Sequence, residues 1–446
     1  MLKENKKIYF IGIGGIGVSA LAQYFLEKGN FVIGSDLNYS EILKKMEKQG
    51  AKIIIGKQKA INLPKDLDMV IHSPAVKSDN PELKQAIKNK KSNPNLKILT
   101  YPQALGELTK NHFTIAISGT HGKSTTTSML SLILIKAKLD PTVIVGTKLK
   151  EFGNSNFRMG KSKYLIIEAC EYEESFLNYK SDIAVITNIE EDHLDYFKNL
   201  NHILKAFKKF IANLSKNGIL AINKDDKNIS KILNEKYKIK KFSIKQKKDV
   251  EKLKKTLKVP GEYNVYNALS ALAVARILKI PDKISFNALS EYKGCWRRFD
   301  ICEIKKGKRK FKIINDYAHH PTEVKALLSG AREKFPKNKI WAIFQPHQLQ
   351  RTYYFFNDFV KVFDDADEIV ITKIYNPTGR GDSKIAKKVS SEKLAESLRQ
   401  RGKKARYAIN FQKIIQIIET ETKPNDIILL IGAGDIYNLN SQFNAY

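Results

Sequence analysis

Residues 119–125 read Gly-Thr-His-Gly-Lys-Ser-Thr and stand between an apolar run, Phe113–Ser118, and a helical pattern, Ser128–Ala137. Small residues at a strand-to-helix junction let backbone N–H groups wrap phosphate oxygens, and the helix N-terminus adds partial positive charge. In such a loop Lys123 reaches the β and γ phosphates of ATP and the Ser124 hydroxyl ligates Mg2+. The first glycine of the longer G-x-x-x-x-G-K-[ST] form is absent, since Ile117 holds that place. Gly119, Thr120, His121, Gly122, Lys123, Ser124 and Thr125 are therefore expected to form an ATP-binding loop.

Acidic and imidazole groups recur at the ends of later apolar runs. YLIIEACEYEESF leaves Glu168 at a strand end, where its carboxylate could bind or position magnesium. AVITNIEEDHLDYF leaves Asn188, Glu190, Asp192, His193 and Asp195 in the same situation, and the cluster suits metal or phosphate work. Open α/β sheets bind ligands just past the carboxyl ends of their strands. Near the start, Gly12-Ile13-Gly14-Gly15-Ile16-Gly17 follows a strand, and Asp36 ends the next one. That is the G-x-G-x-x-G pattern with an acid about 20 residues on. A glycine turn at a helix N-terminus receives any diphosphate, so a UDP-sugar and NAD are both open at this point. Later, Asn315–Val324 (NDYAHHPTEV) and Phe344–Thr352 (FQPHQLQRT) place His, Asp, Tyr and Arg where strands end. Arg297-Arg298 in GCWRRFD reads either as a salt-bridged hinge or as a clamp on transferring phosphate.

Positioning these groups takes alternating strands and helices, the signature of α/β domains with mostly parallel sheets. One set of strands is expected at Ile8–Ile13, Phe31–Gly34, Ile53–Ile55 and Met69–His72, followed by a linker over Lys88–Lys97. A second comprises Phe113–Ser118, Thr142–Val145, Tyr164–Glu168, Ile183–Asn188 and Gly218–Asn223, and a third Lys310–Asn315, Ile340–Gln345, Glu368–Thr372 and Asp426–Ile431. The predicted architecture is three consecutive α/β domains over residues 1–110, 111–299 and 300–446. The first is Rossmann-like, the central one a P-loop ATPase and the last Rossmann-like.

A chain of 446 residues with 42% apolar content is long enough for several packed cores. Lys and Arg total 78 against 46 acids, a formal +32. The lysines are scattered, densest only at Lys236–Lys258, with no nucleic-acid-binding signature beside them, so they read as solvated faces. Cys170, Cys295 and Cys302 suggest neither a disulfide framework nor a zinc site. The glycine-broken run after Lys7 is a first strand and turn rather than a signal peptide. No run approaches the roughly 18 apolar residues of a membrane span. A cytoplasmic protein is expected, with neither nucleic acid nor membrane as partner.

In order along the chain, GIGGIG, GTHGKST, EACEYEESF, TNIEEDHLDYF, PGEYNVYNAL, the RRF pair, DYAHHP and the closing GAGDI (Gly432–Ile436) resemble the Mur ligase family of peptidoglycan synthesis. The resemblance covers nearly the whole chain, and FQPH with RT points to the branch that adds the first amino acid. The branch that recycles tripeptide shares the early motifs. The resemblance implies an acid–amino acid ligase for which ATP phosphorylates the lactoyl carboxylate of UDP-N-acetylmuramate and L-alanine attacks the acyl phosphate. It further implies that Lys123, Glu168, His193 and Arg298 are catalytic, with metal on Ser124, Glu168 and His193. Asn264 or Asn267 would meet adenine, and Tyr317, His319 and Arg351 the amino acid. Gly12, Gly14, Gly15, Gly17, Asp36, His72 and Ser73 would bind the UDP-sugar, and a monomer or weak dimer is expected. The chain departs from the family's pattern at Gln348, usually Arg, at Tyr263, usually His, and at Ser124, commonly Thr. It also departs in the loop IYNPTGRGDSKIA at 374–386, where relatives more often carry acids.

Overall fold

The computed structural model describes residues 5–234, 236–306, 309–377 and 383–444. By packing, these fall into two compact units. The first runs through Ile189 and takes in Leu204–Gln246 and Ala268–Leu289; the second holds Glu190–Ile203, Lys247–Asn267 and the chain from Ser290 onward.

The first unit contains two sheets. β1 (Lys7–Ile11), β2 (Phe31–Asp36), β3 (Lys52–Ile55), β4 (Met69–His72) and β5 (Lys97–Thr100) are all parallel and lie in the order β3-β2-β1-β4-β5. The order reverses between β1 and β4, and there Ile11 pairs with His72. The glycine turn after β1 and the His72-Ser73 pair thus leave adjacent strand ends at a topological switch point, where such sheets take ligands.

The second sheet comprises β6 (Phe113–Ser118), β7 (Thr142–Leu149), β8 (Ser155–Arg158), β9 (Tyr164–Glu168), β10 (Ser181–Ile186), β11 (Leu214–Asn223) and β12 (Lys238–Phe242). Its order is β12-β11-β10-β6-β9-β7-β8, with only β8 antiparallel to its neighbour. The central strand β6 has Glu168 beside Ile117 on one side and Ile186 beside Ser118 on the other. Helix Ile16–Glu27 packs on β7 and β8 of this sheet through a buried polar seam: Gln23 Nε2 donates to Asn156 Oδ1 at 2.9 Å and Ser155 Oγ to Gln23 Oε1 at 3.1 Å.

The second unit holds β13 (Asp300–Lys306), β14 (Arg309–Asp316), β15 (Ile340–Phe344), β16 (Glu368–Thr372), β17 (Ala405–Ala408) and β18 (Ile427–Ile431), ordered β13-β14-β18-β15-β16-β17. Strands β15 and β18 read IWAIF and IILLI and are wholly buried, as expected for parallel strands covered on both faces. Trp341, Phe344, Phe359 and Phe363 are the largest fully buried residues of the two cores flanking this sheet. Phe344 and Asp316 both pair with Ile431, so QPH, DYAHH and GAGD leave neighbouring strand ends.

The expected linker at Lys88–Lys97 is instead the last turns of helix Pro81–Ser92 and the start of β5. Pro at the first turn and the Asn80 side chain, which accepts from Glu82 N and Leu83 N, start that helix and outweigh its lysine-rich end. The centre of the 374–386 loop, residues 378–382, lies outside the described residues. Among the described residues no helix is long and apolar enough to cross a membrane.

Candidate active site

In the first unit the phosphate-binding candidate is built on β6. Gly119 has φ +133° and Gly122 φ +83°, backbone that side chains other than hydrogen disfavour. A Cβ on Gly119 would strike Thr187 Oγ1. The loop is stitched to the end of β10. Thr120 N donates to the Asn188 carbonyl at 3.1 Å, His121 N to Asn188 Oδ1 at 2.8 Å, and Thr187 Oγ1 to the His121 carbonyl at 2.6 Å.

Lys123 opens the helix Lys123–Lys136 and folds back over the loop. Its Nζ donates to the carbonyls of Gly119 (2.5 Å) and Thr120 (3.1 Å) and pairs with Glu171 at 2.9 Å. Burial works against its charge, but Glu171 foremost among its neighbours holds the ammonium above the usual lysine range. Ser124 Oγ donates to Glu168 Oε1 at 2.8 Å, and Glu168 Oε2 accepts the Gly146 N–H of β7. A hydroxyl and a carboxylate converging beside a phosphate loop are hard oxygen donors, the set that suits Mg2+. Four of the residues singled out here (Gly119, Lys123, Ser124, Glu168) are thus brought together. Glu171 and Thr187 were not singled out; Glu171 stands three places after Glu168 in EACEYEESF, where spacing alone gives no sign that it turns inward.

The glycine turn at the N-terminal sheet is shaped by its own acid. Gly14 N donates to Asp36 Oδ2 at 2.8 Å, and Gly12 N and Ile13 N donate to the Ser35 carbonyl at 2.8 and 3.0 Å. Gly12 is left-handed at φ +78°, and a Cβ on it would lie 3.3 Å from the Ser73 Cβ. At Gly17 it would lie 2.7 Å from the Tyr101 ring. Gly15 precedes the helix as its N-cap. His72 Nδ1 lies 3.1 Å from the Ser73 carbonyl, and burial lowers its pKa.

In the second unit the residues expected at the amino acid and phosphates surround the ends of β14, β15 and β18. Tyr317 and His319 stack edge to face at 5.3 Å, His319 meets His347 at 5.7 Å, and His347 lies parallel to Tyr375 at 5.7 Å. Arg351 Nη1 lies 3.2 Å from His347 Nδ1, while its Nε and Nη2 donate to Asp192 Oδ1 at 3.0 and 2.9 Å. Burial pushes the Asp192 carboxyl up, but His193, Arg351, His319 and His320 outweigh it and hold it well below the usual carboxylate range. Asn264 and Asn267 are buried one turn apart on helix Glu262–Ile277, with Asn264 Nδ2 donating to the Pro260 carbonyl at 2.7 Å.

The arginine pair divides. Arg297 donates to the carbonyls of Gly432 and Gly434, the latter at 2.9 Å, and lies 4.4 Å over the Tyr437 ring and 4.8 Å over that of Tyr317. It is a buried brace held by carbonyls and rings rather than by a carboxylate. Arg298 lies 5.1 Å over Tyr317, and Glu323 and Asp316 raise its pKa against the effect of burial. Backbone strain gathers here: His193 (φ 52°), Arg297 (57°), Phe299 (52°) and Gln348 (69°) are all left-handed without being glycine. Each such residue costs of order 1–3 kcal/mol and persists where surrounding structure enforces it.

Asp316, which the sequence placed only within a polar segment, is buried and accepts from Phe299 N at 2.7 Å and Ala318 N at 2.8 Å. Burial foremost, with Glu323 adding and Arg298 opposing, raises its pKa to about 6. A folded-state value above the unfolded one means that the protonated form stabilises the fold fully below about pH 4, and that this contribution is lost as pH rises through 6. The gap is worth about 3 kcal/mol at 1.36 kcal/mol per pH unit. Asp316→Asn is therefore expected to flatten the change in unfolding free energy between pH 4.5 and 7.5 relative to the unsubstituted protein, measured by urea titration. An unchanged difference would show that Asp316 is ionised throughout.

Three Mur ligase family models match the chain: "Mur ligase family, catalytic domain" over residues 7–113, "Mur ligase middle domain" over 117–275 and "Mur ligase, glutamate ligase domain" over 297–434. The UDP-N-acetylmuramate–L-alanine ligase of Clostridium tetani is 42% identical, covering 99% of this chain and 98% of its own length. That of Acetivibrio thermocellus is 40% identical over 98% and 95%. Among solved structures, the UDP-N-acetylmuramate–alanine ligase of Thermotoga maritima superimposes with a TM-score of 0.81 at 29% identity, covering 99% of each chain. A murein peptide ligase from Psychrobacter arcticus shares the fold, with a TM-score of 0.72 at 22% identity. With matches that run from one end of the chain to the other, and a phosphate loop and strand-end acids built as described, this protein belongs to the Mur ligase family of enzymes.

Proposed function

We propose that this protein joins L-alanine to the lactoyl carboxylate of UDP-N-acetylmuramate at the expense of ATP, in the assembly of peptidoglycan precursors. The observation that carries the reading is the near-complete likeness to ligases of that name, 42% identical over 99% of the chain. The geometry supplies the chemistry this reaction needs. The loop at Gly119–Thr125 presents backbone N–H groups and the Lys123 ammonium to the phosphates, with Asn264 and Asn267 assigned to the adenine. Ser124 and Glu168 would hold Mg2+, which neutralises charge on the moving phosphoryl group. Lys123 exchanges its carbonyl partners for phosphate oxygens, while Glu171 keeps it charged and aimed. By the family likeness His193 is assigned to metal and Arg298 to phosphate. The glycine turn with Asp36, His72 and Ser73 takes the UDP-sugar. Tyr317, His319 and Arg351 orient the amine that attacks the acyl phosphate and expels inorganic phosphate. The segments 1–110, 111–299 and 300–446 would serve sugar nucleotide, ATP and amino acid in that order.

Phosphate release from ATP, measured with each substrate omitted in turn, tests the reading. Release is expected only with UDP-N-acetylmuramate, L-alanine and Mg2+ together; release that ignores L-alanine, or that answers only to a tripeptide, would contradict it.

Gln348 bears on amino-acid recognition. It is 4% exposed, sits at φ 69°, ψ 132° and lines a small pocket with Asp192, His193, Arg351 and Tyr354. An amide cannot make the bidentate ion pair of an arginine. Gln348→Arg is expected to lower the KM for L-alanine about 10-fold, as one charge-assisted contact would. It should also lower the melting temperature without substrate, since a second guanidinium is then buried near Arg351. An unchanged or raised KM would mean that the carboxylate is gripped elsewhere.

A further inference from the structure

Residues Glu190–Ile203 follow β10 in sequence, yet they pack within the unit of the third sheet. Successive residues are fastened to it. Glu190 Oε1 accepts from Thr322 Oγ1 at 2.8 Å, the Glu191 carbonyl lies 3.0 Å from His320 Nε2, and Leu194 packs against the core that holds Phe344, Phe355 and Phe359. Asp192 is the most buried of these fasteners, its side chain 7% exposed and that of Arg351 3%.

One oxygen of Asp192 serves two neighbours. Oδ1 accepts both Arg351 Nε (3.0 Å) and Nη2 (2.9 Å), and also the backbone N–H of His193 at 2.7 Å. The other oxygen lies 3.7 Å from His193 Nε2. His193 is at φ 52°, a conformation that needs such an anchor, because without one a non-glycine residue would relax to negative φ. The Nε–Nη2 edge is one of the two with which a guanidinium grips a carboxylate in parallel. Here it is occupied, which turns Nη1 towards His347 Nδ1 (3.2 Å) and the His347 carbonyl (3.4 Å).

We propose that Asp192 is a positioning residue that sets His193 and Arg351 in a fixed relation, so that the incoming amino acid's carboxylate is read by the Nη1 side of Arg351 beside His347. The inference rests on the function proposed above, in which Arg351 faces the amino acid and His193 a metal. It predicts that one substitution disturbs two properties at once.

Asp192→Asn keeps the shape and one acceptor oxygen but removes the charge that aligns the guanidinium. In the full-length protein the KM for L-alanine is expected to rise about 10-fold or more, the scale seen when a residue behind a ligand-binding group is lost. The affinity for Mn2+ in the presence of ADP, read by electron paramagnetic resonance, should fall by a similar factor. The KM values for ATP and UDP-N-acetylmuramate should stay within about 2-fold, a difference of only 0.4 kcal/mol. A lower melting temperature with KM and Mn2+ affinity unchanged would make Asp192 merely structural and overturn the proposal. So would a fall in the L-alanine KM, which would mean that Asp192 competes with the substrate, or a change in only one of the two properties. If the Asn variant does not fold, Asp192→Glu, which keeps the charge and shifts it by one methylene, is read by the same two measurements. The unsubstituted protein run alongside separates the two claims: if it lacks L-alanine dependence, the proposed function has failed rather than the role of Asp192.

Discussion

Lys123→Ala is expected to lower turnover by about 10³- to 10⁵-fold, the range found when a cation acting on a transferring phosphoryl group is removed. The ammonium lies within 3.1 Å of two loop carbonyls and 2.9 Å from Glu171, so it is already held where the β and γ phosphates would lie. The KM for UDP-N-acetylmuramate should stay near normal, since the glycine turn and Asp36 belong to a different sheet. Stability should fall as well. Glu171 is 3% exposed, and a buried carboxylate stripped of its partner costs about 3–5 kcal/mol. Adding Glu171→Gln to the variant should therefore restore the melting temperature while leaving turnover lost. If the double variant recovered activity, Lys123 would be a structural ion-pair partner and the ATP site would lie elsewhere. Loss of UDP-sugar binding in Lys123→Ala would contradict the assignment of that substrate to the N-terminal sheet.

Glu168→Gln should cost about 10²-fold in kcat and raise the Mg2+ concentration for half-maximal rate at least 10-fold, within the roughly 10- to 100-fold that losing a group supporting a metal costs. The amide oxygen can still accept from Ser124 Oγ, so the loop itself should survive, but the amide nitrogen cannot accept the Gly146 N–H and the melting temperature should fall by the cost of about one hydrogen bond. The negative charge that complements a dication is removed, together with one of the two acceptor oxygens. An unchanged Mg2+ requirement would take Glu168 out of the metal site and leave it as a clamp between Ser124 and Gly146.

Most of the architecture could be read from the chain because parallel strands covered on both faces are written as continuous apolar runs, IILLI and IWAIF among them. The five strands that the apolar pattern does not announce, β5, β8, β12, β13 and β17, each lie at a sheet edge. Edges carry lysine and other charges that discourage further pairing, as KIKKF in β12 does, and so lose the apolar signal. The candidate site is legible where chemistry demands a residue type at a strand end: Lys123 and Ser124 after β6, Glu168 ending β9. Partners that meet only through tertiary packing are not. Asp192 and Arg351 are 159 positions apart and Lys123 and Glu171 are 48, and no local spacing announces either pair. Asp316 was hidden for another reason, because its raised pKa comes from burial, which residue type does not reveal.

The central claim is that the carboxylate of UDP-N-acetylmuramate is activated as an acyl phosphate before L-alanine attacks. Substrate labelled with oxygen-18 in both lactoyl carboxylate oxygens tests it most directly. If the carboxylate attacks the γ-phosphorus and the amine then displaces phosphate from carbon, one labelled oxygen leaves with phosphate and one stays in the amide. Mass spectrometry is expected to find a single oxygen-18 in each inorganic phosphate released and one in each UDP-N-acetylmuramoyl-L-alanine formed. Unlabelled phosphate, with both heavy oxygens still on the sugar nucleotide, would contradict the account.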